Sequence, residues 1–165
     1  MNVIDLLAYR VIPLDKSDGI NVGSVLPIPE ERAVFDGNQK KNETEDFFEE
    51  IRKELFPHLP SRKSVLFVLP YDKVIVDGWV ALHNPHNDYD YVLLTLRLTG
   101  TLIWCEENKF SDACVLPFFR EACAREYWEG ASDEFNQFET PEGLFRGMAR
   151  VEAITAGHHI SPFKG

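Results

Sequence analysis

The sequence has little cysteine, and the cysteines it has follow no pairing pattern. Cys105, Cys114 and Cys123 form no Cys-x-x-Cys motif, and their number is odd. A disulfide framework or a zinc knuckle is therefore not expected. We interpret all three as reduced and partly buried thiols.

Positive charge is also scarce. Seventeen Lys and Arg residues stand against twenty-seven Asp and Glu residues, which gives a formal net charge of −10 in 165 residues. A surface this acidic repels phosphate backbones and anionic lipid, so nonspecific nucleic-acid binding is not expected. The same charge suits a protein that meets a basic partner.

The N-terminal region lacks the pattern of a leader or a membrane span. Its first seven residues contain Asp5 and no basic residue, and the apolar residues that follow are interrupted by Arg10 and Pro13. Neither a signal peptide nor a transmembrane helix is expected from this pattern. We therefore expect a cytoplasmic protein without membrane contact.

Common catalytic motifs are missing as well. The sequence contains no GxxxxGK[ST], GxGxxG, HExxH or GxSxG motif, which argues against P-loop, dinucleotide-fold, zincin and α/β-hydrolase enzymes. One loop carries ligand-type side chains: His83, His86, Asp88 and Asp90. Such residues can hold zinc or iron, but an Asn- and Asp-rich loop carries them as solvated groups too. We expect no metal site. A metal-dependent hydrolase that uses these four residues stays an alternative hypothesis.

Hydrophobic periodicity predicts a chain of mixed elements. Asn42 and Glu45 have the form of a capping box, with Thr44 as a rival cap, and Pro57 ends the helix that follows. The predicted elements are a strand at 4–12, a long loop at 13–42, a helix after Asn42, a strand at 64–69, a short helix within 71–82, a hairpin at 91–106 turning at Thr99 and Gly100, a helix from Ser111 or Asp112 to about Trp128, a final strand or strand pair at 142–155, and a frayed tail at 156–165.

The order of these elements indicates the fold class. Helices do not alternate regularly with strands, so an α+β fold is favoured over a doubly wound parallel sheet. The length suits a single domain covering residues 1–165.

Three charged residues border apolar strands: Arg10, Arg62 and Glu142. A charge beside a buried strand is costly unless it is paired or faces a cleft. From the spacing alone, an Arg–Glu ion pair or a side chain extending to the surface is favoured over a catalytic role.

Four short segments are distinctive: Leu55–Val68, Ala8-Tyr9-Arg10, Gly23–Leu26 and Tyr127–Gly130. Together they resemble a small bacterial family of uncharacterised proteins with an ADP-ribosyltransferase-like fold. It implies a split antiparallel or mixed β-sheet with flanking helices.

The resemblance also implies a set of residues that hold NAD. Arg10 matches the position on the first strand, and Ser61 or Ser64 matches the next, with Arg62 beside it. Glu142 matches the glutamate that opens a late strand, and Glu139 is its rival. Tyr71 or Trp79 would stack on nicotinamide.

The implied activity is NAD-dependent ADP-ribosyl transfer or NAD hydrolysis. The glutamate would stabilise the oxocarbenium-like cation formed as the nicotinamide–ribose bond breaks. Arg10 would hold a pyrophosphate or ribose oxygen. The alternative is a noncatalytic acidic protein, such as an immunity protein or antitoxin, that binds a basic partner by charge complementarity.

Overall fold

Residues 1–31 and 39–156 are described by the computed structural model of the chain. Within these residues, five strands and four helices form from the apolar runs and periodic segments of the sequence. The strands are β1 (Asn2–Pro13), β2 (Val25–Leu26), β3 (Leu66–Pro70), β4 (Tyr91–Glu106) and β5 (Pro141–Ala156). The helices are α1 (Gln39–Leu55), α2 (Lys73–His83), α3 (Glu107–Val115) and α4 (Arg120–Glu129), with 3₁₀ helices at Leu14–Lys16, Arg62–Ser64 and Pro117–Phe119.

The strands form one sheet in the order β2-β5-β3-β1-β4, with an additional pairing of β5 and β4. β1 pairs antiparallel with both β3 and β4, and β2 pairs antiparallel with β5. Helices and antiparallel strands that do not alternate regularly confirm the predicted α+β class.

The chain divides into two compact units. We call residues 28–67 and 102–146, together with Met1, the helical unit, because it contains α1, α3 and α4. Residues 2–27, 68–101 and 147–165 form the sheet unit, which contains β1, β2 and α2. The prediction of a single domain over 1–165 stays a prediction.

The helical unit is built around aromatic side chains. Phe48 of α1 contacts Phe110 of α3 and Tyr127 of α4, with ring centroids 5.2 and 5.3 Å apart. Trp128 is buried beside them, and its indole nitrogen donates a hydrogen bond to the Phe48 carbonyl at 2.9 Å. The three helices therefore meet along their apolar faces, as their periodicity predicts.

The sheet unit packs α2 against strand residues. Val76 and Val80, one turn apart on α2, are buried with Tyr9, Leu69 and Leu93. A short helix within 71–82 that buries Val76, Trp79 and Val80 is the prediction. The helix and the burial of both valines are confirmed, whereas Trp79 is only partly buried.

The start of α1 differs from the prediction. The helix is already formed at Gln39, so Asn42 and Thr44 lie inside it rather than at a cap. The Thr44 hydroxyl donates to the Lys40 carbonyl at 2.8 Å, four residues back. A hydroxyl that satisfies itself on the helix backbone is compatible with a helix interior. The predicted end is correct, since α1 stops at Leu55, two residues before Pro57.

The predicted hairpin at 91–106 is wrong. β4 runs through Thr99 and Gly100 without a turn, because Gly100 and Thr101 pair with Val3 and Asn2 of β1. A two-residue hairpin turn favours φ > 0 at its central positions, which a β-branched threonine disfavours. Because β1 is available as a partner on both sides of Gly100, β4 continues as one strand instead of turning back on itself.

The predicted helix from Ser111 or Asp112 to about Trp128 is divided in two. α3 begins earlier, at Glu107, and ends at Val115, and α4 begins at Arg120. Pro117 lacks the N–H that a continuous helix would need, and it starts the 3₁₀ turn between them.

The remaining expectations concern the loop and the tail. Within 13–31 the chain forms one 3₁₀ helix and the two-residue β2, while residues 32–38 lie outside the described residues. The final strand is confirmed as a single one that ends at Ala156. Of the predicted tail only this first residue is described, and 157–165 lie outside the described residues. In the described ranges, no helix has both the length and the apolar character to cross a membrane.

Candidate functional site

Arg62 is the centre of a buried polar cluster in the helical unit. It lies in the 3₁₀ helix Arg62–Ser64, which Ser61 caps by accepting a hydrogen bond from the Lys63 amide at 3.1 Å. Only 6% of the Arg62 side chain is exposed. A buried guanidinium needs partners for its N–H groups and its charge, and three side chains supply them.

Glu45 of α1 binds one side of the guanidinium. Arg62 Nε donates to Glu45 Oε2 at 2.8 Å, and Arg62 Nη2 donates to Glu45 Oε1 at 2.9 Å. The two parallel hydrogen bonds form the bidentate geometry in which an arginine and a carboxylate match best. This ion pair joins α1 to the segment that precedes β3.

Glu142 and Tyr127 bind the other side. Arg62 Nη1 donates to the Tyr127 hydroxyl at 2.6 Å and also to Glu142 Oε1. The Tyr127 hydroxyl in turn donates to Glu142 Oε1 at 2.6 Å. Residues from α1, α4 and β5 are thereby tied to one guanidinium. We call Arg62, Glu45, Tyr127 and Glu142 the Arg62 cluster.

Three aromatic rings lie against the guanidinium. Its central carbon lies 4.1 Å from the ring centroid of Phe110, 4.7 Å from that of Phe67 and 5.2 Å from that of Tyr127. Such contacts stabilise a cation and also keep water away from it. The ion pairs therefore lie in a dry environment.

Burial and charge act against each other on the pKa values of the cluster. Burial raises the pKa of Glu142, the positive charge of Arg62 opposes this, and nearby Glu107 adds to it, so the pKa stays above its ordinary value. Burial lowers the pKa of Arg62, but Glu142 and Glu45 outweigh it and hold that pKa well above the ordinary value. Burial also raises the pKa of the Tyr127 hydroxyl well above its ordinary value. Arg62 is thus a permanent cation and Tyr127 a permanent hydrogen-bond donor.

The two oxygens of Glu142 differ in their surroundings. Oε1 accepts hydrogen bonds from both Arg62 and Tyr127. Oε2 receives none from a side chain or amide in 1–31 or 39–156, and about 10% of the side chain stays exposed. Glu142 is therefore a buried carboxylate held through one oxygen, while within the described residues the other accepts no such hydrogen bond.

The two candidate serines have local structural partners. The Ser61 hydroxyl donates to Glu49 Oε2 at 2.8 Å. The Ser64 hydroxyl is within 3.4 Å of the Ser61 carbonyl, and the Ser64 carbonyl accepts from Arg146 at 2.6 Å. Both serines flank Arg62 in the chain and fix the turn that carries it.

Arg10 and Tyr71 belong to the sheet unit and not to the Arg62 cluster. Arg10 lies on β1 and pairs in register with Leu94 of β4. Tyr71 is about half exposed, and its ring lies 4.7 Å from that of Tyr9. The resemblance placed both residues at an NAD site with Glu142, and that grouping stays a prediction.

Glu139, the rival to Glu142, lies before β5 on an exposed turn. Its backbone amide donates to Glu106 Oε2 at 2.9 Å. Glu142 is the second residue of β5, which is the strand-opening position that was expected of it.

Two members of the Arg62 cluster, Glu45 and the hydroxyl of Tyr127, were not predicted from the sequence. Glu45 was assigned to a capping box. A signal for Glu45 was present, because it lies three residues before buried Phe48 on the apolar face of α1. A carboxylate on that face needs a buried cation, and Arg62 beside an apolar strand was the available one.

The hypothesis of a metal site in the loop with His83 and His86 gains no support. The His83 ring stacks on Trp79 with centroids 4.0 Å apart, and its Nδ1 hydrogen-bonds with the Trp79 carbonyl at 2.9 Å. Across the described ranges, no group of three or more His, Cys, Asp or Glu side chains is arranged to hold a metal ion.

Comparison with protein families identifies one family, described as "Protein of unknown function (DUF2441)", which matches residues 31–156. The chain belongs to this family. The prediction that it falls among uncharacterised proteins is therefore confirmed. The matched region contains the whole Arg62 cluster and both candidate serines, whereas Arg10 precedes it. No curated protein matched the chain.

Proposed function

We propose that the DUF2441 protein cleaves the nicotinamide–ribose bond of NAD, as an ADP-ribosyltransferase or an NAD glycohydrolase, with Glu142 as its catalytic carboxylate. The observation that carries this proposal is the asymmetry of Glu142. Arg62 and Tyr127 fix one carboxylate oxygen, and the other accepts no hydrogen bond from a side chain or amide of the described residues. A carboxylate held in one orientation by charged and hydrogen-bonding partners is suited to bind a ribose hydroxyl and to face developing positive charge.

The chemistry needs one carboxylate of this kind. As the bond between ribose C1′ and the nicotinamide nitrogen breaks, its electron pair goes to the nicotinamide ring, and positive charge develops on the ribose. Glu142 would stabilise that charge through Oε2, the oxygen that Arg62 and Tyr127 do not bind. Water or a hydroxyl of an acceptor then forms the new bond to C1′ and releases a proton to solvent.

The sequence resemblance adds the remaining roles. Arg10 would bind a pyrophosphate or ribose oxygen, and Ser61 or Ser64 would position the ribose. Tyr71 or Trp79 would stack on the nicotinamide. The acidity of the helical unit opposes a dianionic substrate. Charges farther than about 8–10 Å are screened at physiological salt, however, so near cations govern binding.

The test is nicotinamide release from NAD by the wild type and two matched variants. Glu142→Gln keeps the shape and the acceptor for Arg62, but it removes the charge. Glu139→Gln makes the same change three residues earlier, outside the Arg62 cluster. We expect Glu142→Gln to lower kcat by at least about a hundredfold and Glu139→Gln to retain wild-type activity.

Folding is checked separately, because Glu142 is also a structural residue. Circular dichroism and the unfolding midpoint establish that each variant is folded at the assay temperature. A folded Glu142→Gln with wild-type turnover would refute the catalytic assignment. Absence of NAD binding and of nicotinamide release in the wild type would refute the enzymatic proposal as a whole.

A second candidate function, binding of a basic protein partner, is favoured by how charge is distributed. The helical unit has 19 Asp and Glu against 11 Lys and Arg, so 11 − 19 = −8 of the total −10 lies there. A net negative charge of this size steers basic partners towards the unit. This is the profile of an immunity protein or antitoxin, and in that case Glu142 and Arg62 act only in folding.

A further inference from the structure

An exposed apolar segment interrupts the acidic helical unit between α3 and α4. Phe118 is fully exposed, Val115 is 74% exposed, Phe119 is 60% exposed and Leu116 is 48% exposed. Together with Pro117 they are five consecutive residues, and the 3₁₀ helix among them buries none of its side chains. We call Val115–Phe119 the apolar segment.

The backbone of this segment is ordered although its side chains are exposed. The Leu116 amide donates to the Asp112 carbonyl at 2.8 Å, and the Phe119 amide donates to the Leu116 carbonyl at 2.9 Å. Pro117 further restricts the turn. Two phenylalanines are thus presented on a preformed scaffold, which lowers the entropic cost of binding something to them.

Exposed aromatic residues on a rigid turn are typical of interaction surfaces. Scattered exposed apolar side chains need no explanation, but a contiguous group of large ones does. Phenylalanine is enriched at the centres of interfaces, where it supplies much of the contact area. We infer that the apolar segment is a docking surface for a basic protein partner that offers an apolar pocket rimmed by Lys and Arg.

The charge around the segment selects this occupant. Residues 102–146 contain 10 Asp and Glu against 4 Lys and Arg, so 4 − 10 = −6. Exposed acidic side chains flank the segment on both sides, with Asp112 on α3 and Glu121 on α4, although Glu121 pairs with Arg125. A second copy of the chain would bring two such acidic surfaces together, whereas a basic partner would gain attraction from them. The inference rests on the second candidate function and not on NAD cleavage.

The experiment uses a random peptide library displayed on phage, selected on the wild-type protein. The Phe118→Ser/Phe119→Ser double variant serves for counter-selection. A Val74→Ser/Leu82→Ser variant is the matched control, since those side chains are 80% and 60% exposed on α2 of the sheet unit. All four substitutions replace exposed side chains, so each protein should fold.

The expected result has three parts. Selected peptides carry net positive charge together with Leu, Ile, Phe or Trp. A synthesised peptide binds the wild type and the Val74→Ser/Leu82→Ser control alike, and binds the Phe118→Ser/Phe119→Ser variant at least about tenfold more weakly. Raising salt from about 0.05 to about 0.3 M weakens binding severalfold.

Four outcomes would overturn the inference. Selected peptides without excess positive charge would refute the basic partner. Equal binding to both double variants, or no selection above background, would refute the surface. A wild-type dimer in sedimentation that dissociates on Phe118→Ser/Phe119→Ser would instead make this face an interface between copies. NAD turnover, measured in the same proteins, stays unaffected in every case, so the two proposals fail independently.

Discussion

At the scale of single residues, Arg62 decides whether two buried carboxylates are tolerated. Glu45 and Glu142 both lie against its guanidinium, with side-chain exposures of 1% and 10%. Removing the cation leaves two negative charges in a dry, aromatic environment. We therefore expect Arg62→Ala to lower the free energy of unfolding by about 3–5 kcal/mol, the cost of breaking a buried pair. Urea titration followed by tryptophan fluorescence measures it.

Two comparison variants separate this effect from a general loss of charge. Arg62→Lys keeps the charge but cannot form the bidentate pair with Glu45, so an intermediate loss is expected. Arg125→Ala removes an exposed arginine that pairs with Glu121 one turn away on α4, and it should change stability by less than about 0.5 kcal/mol. If Arg62→Ala and Arg125→Ala cost the same, the cluster does not stabilise the fold.

Glu142 gives the Arg62 cluster a pH dependence whose sign can be worked out. Burial raises its pKa in the folded protein above the ordinary value of 4.5, despite the opposing charge of Arg62. As pH rises from about 4.5 towards the raised pKa, the folded state holds a proton that the unfolded state has released. The folded state binds more protons in that window, so the stability contributed by Glu142 falls as pH rises.

The measurement is the difference in unfolding free energy between the wild type and Glu142→Gln. Other titrating groups largely cancel in this difference, because both proteins carry them. We expect the difference to shift in favour of Glu142→Gln as pH rises through the window above about 4.5. A difference that moves towards the wild type over the same pH range would contradict the raised pKa.

Arg62 and Glu142 were recognisable from the sequence as charges beside apolar strands, but their arrangement was not. The two residues lie 80 positions apart, and only the packing of β5 beside the turn before β3 makes them partners. Glu45 was misassigned because a local pattern, Asn-x-x-Glu, matched a capping box as well as it matched a buried ion-pair residue. Local periodicity predicts whether a residue is buried better than it predicts which residue it contacts.

At the scale of elements, α2 offers a clean test of capping. The Asp72 carboxylate accepts hydrogen bonds from the Val74 and Ile75 amides at 2.9 and 3.4 Å. Asp72→Ala leaves these amides without that partner, so a loss of about 1 kcal/mol is expected. Asp72→Asn keeps an acceptor oxygen and should recover most of it. Thermal unfolding of the three proteins measures the difference, and equal losses for both variants would show that the cap hydrogen bonds contribute nothing.

The end of a helix before a proline was predicted correctly. The course of a strand that pairs with a segment far away in the sequence was not. Pro57 stops α1 as expected, because the ring prevents the next helical hydrogen bond. The straight course of β4 through Gly100 depends on β1, almost a hundred residues earlier in the chain. No turn signal near Thr99 carries that information.

At the scale of the whole molecule, negative charge is concentrated in one unit. The helical unit carries −8, while the sheet unit has 8 Asp and Glu against 6 Lys and Arg, or 6 − 8 = −2. Self-repulsion of like charges destabilises a compact state and is relieved by salt. The two units should therefore respond differently to the same change in charge.

Matched charge reversals test this difference. Glu50→Lys changes an exposed residue of α1 in the helical unit, and Asp15→Lys changes an exposed residue of the 3₁₀ helix after β1 in the sheet unit. We expect Glu50→Lys to raise the free energy of unfolding by about 0.5 kcal/mol at low salt and Asp15→Lys to raise it less. The gain should disappear at about 1 M salt, where the Debye length falls to about 3 Å. Equal gains from both variants, or a gain that survives high salt, would mean that local contacts rather than the summed charge of the helical unit determine the response.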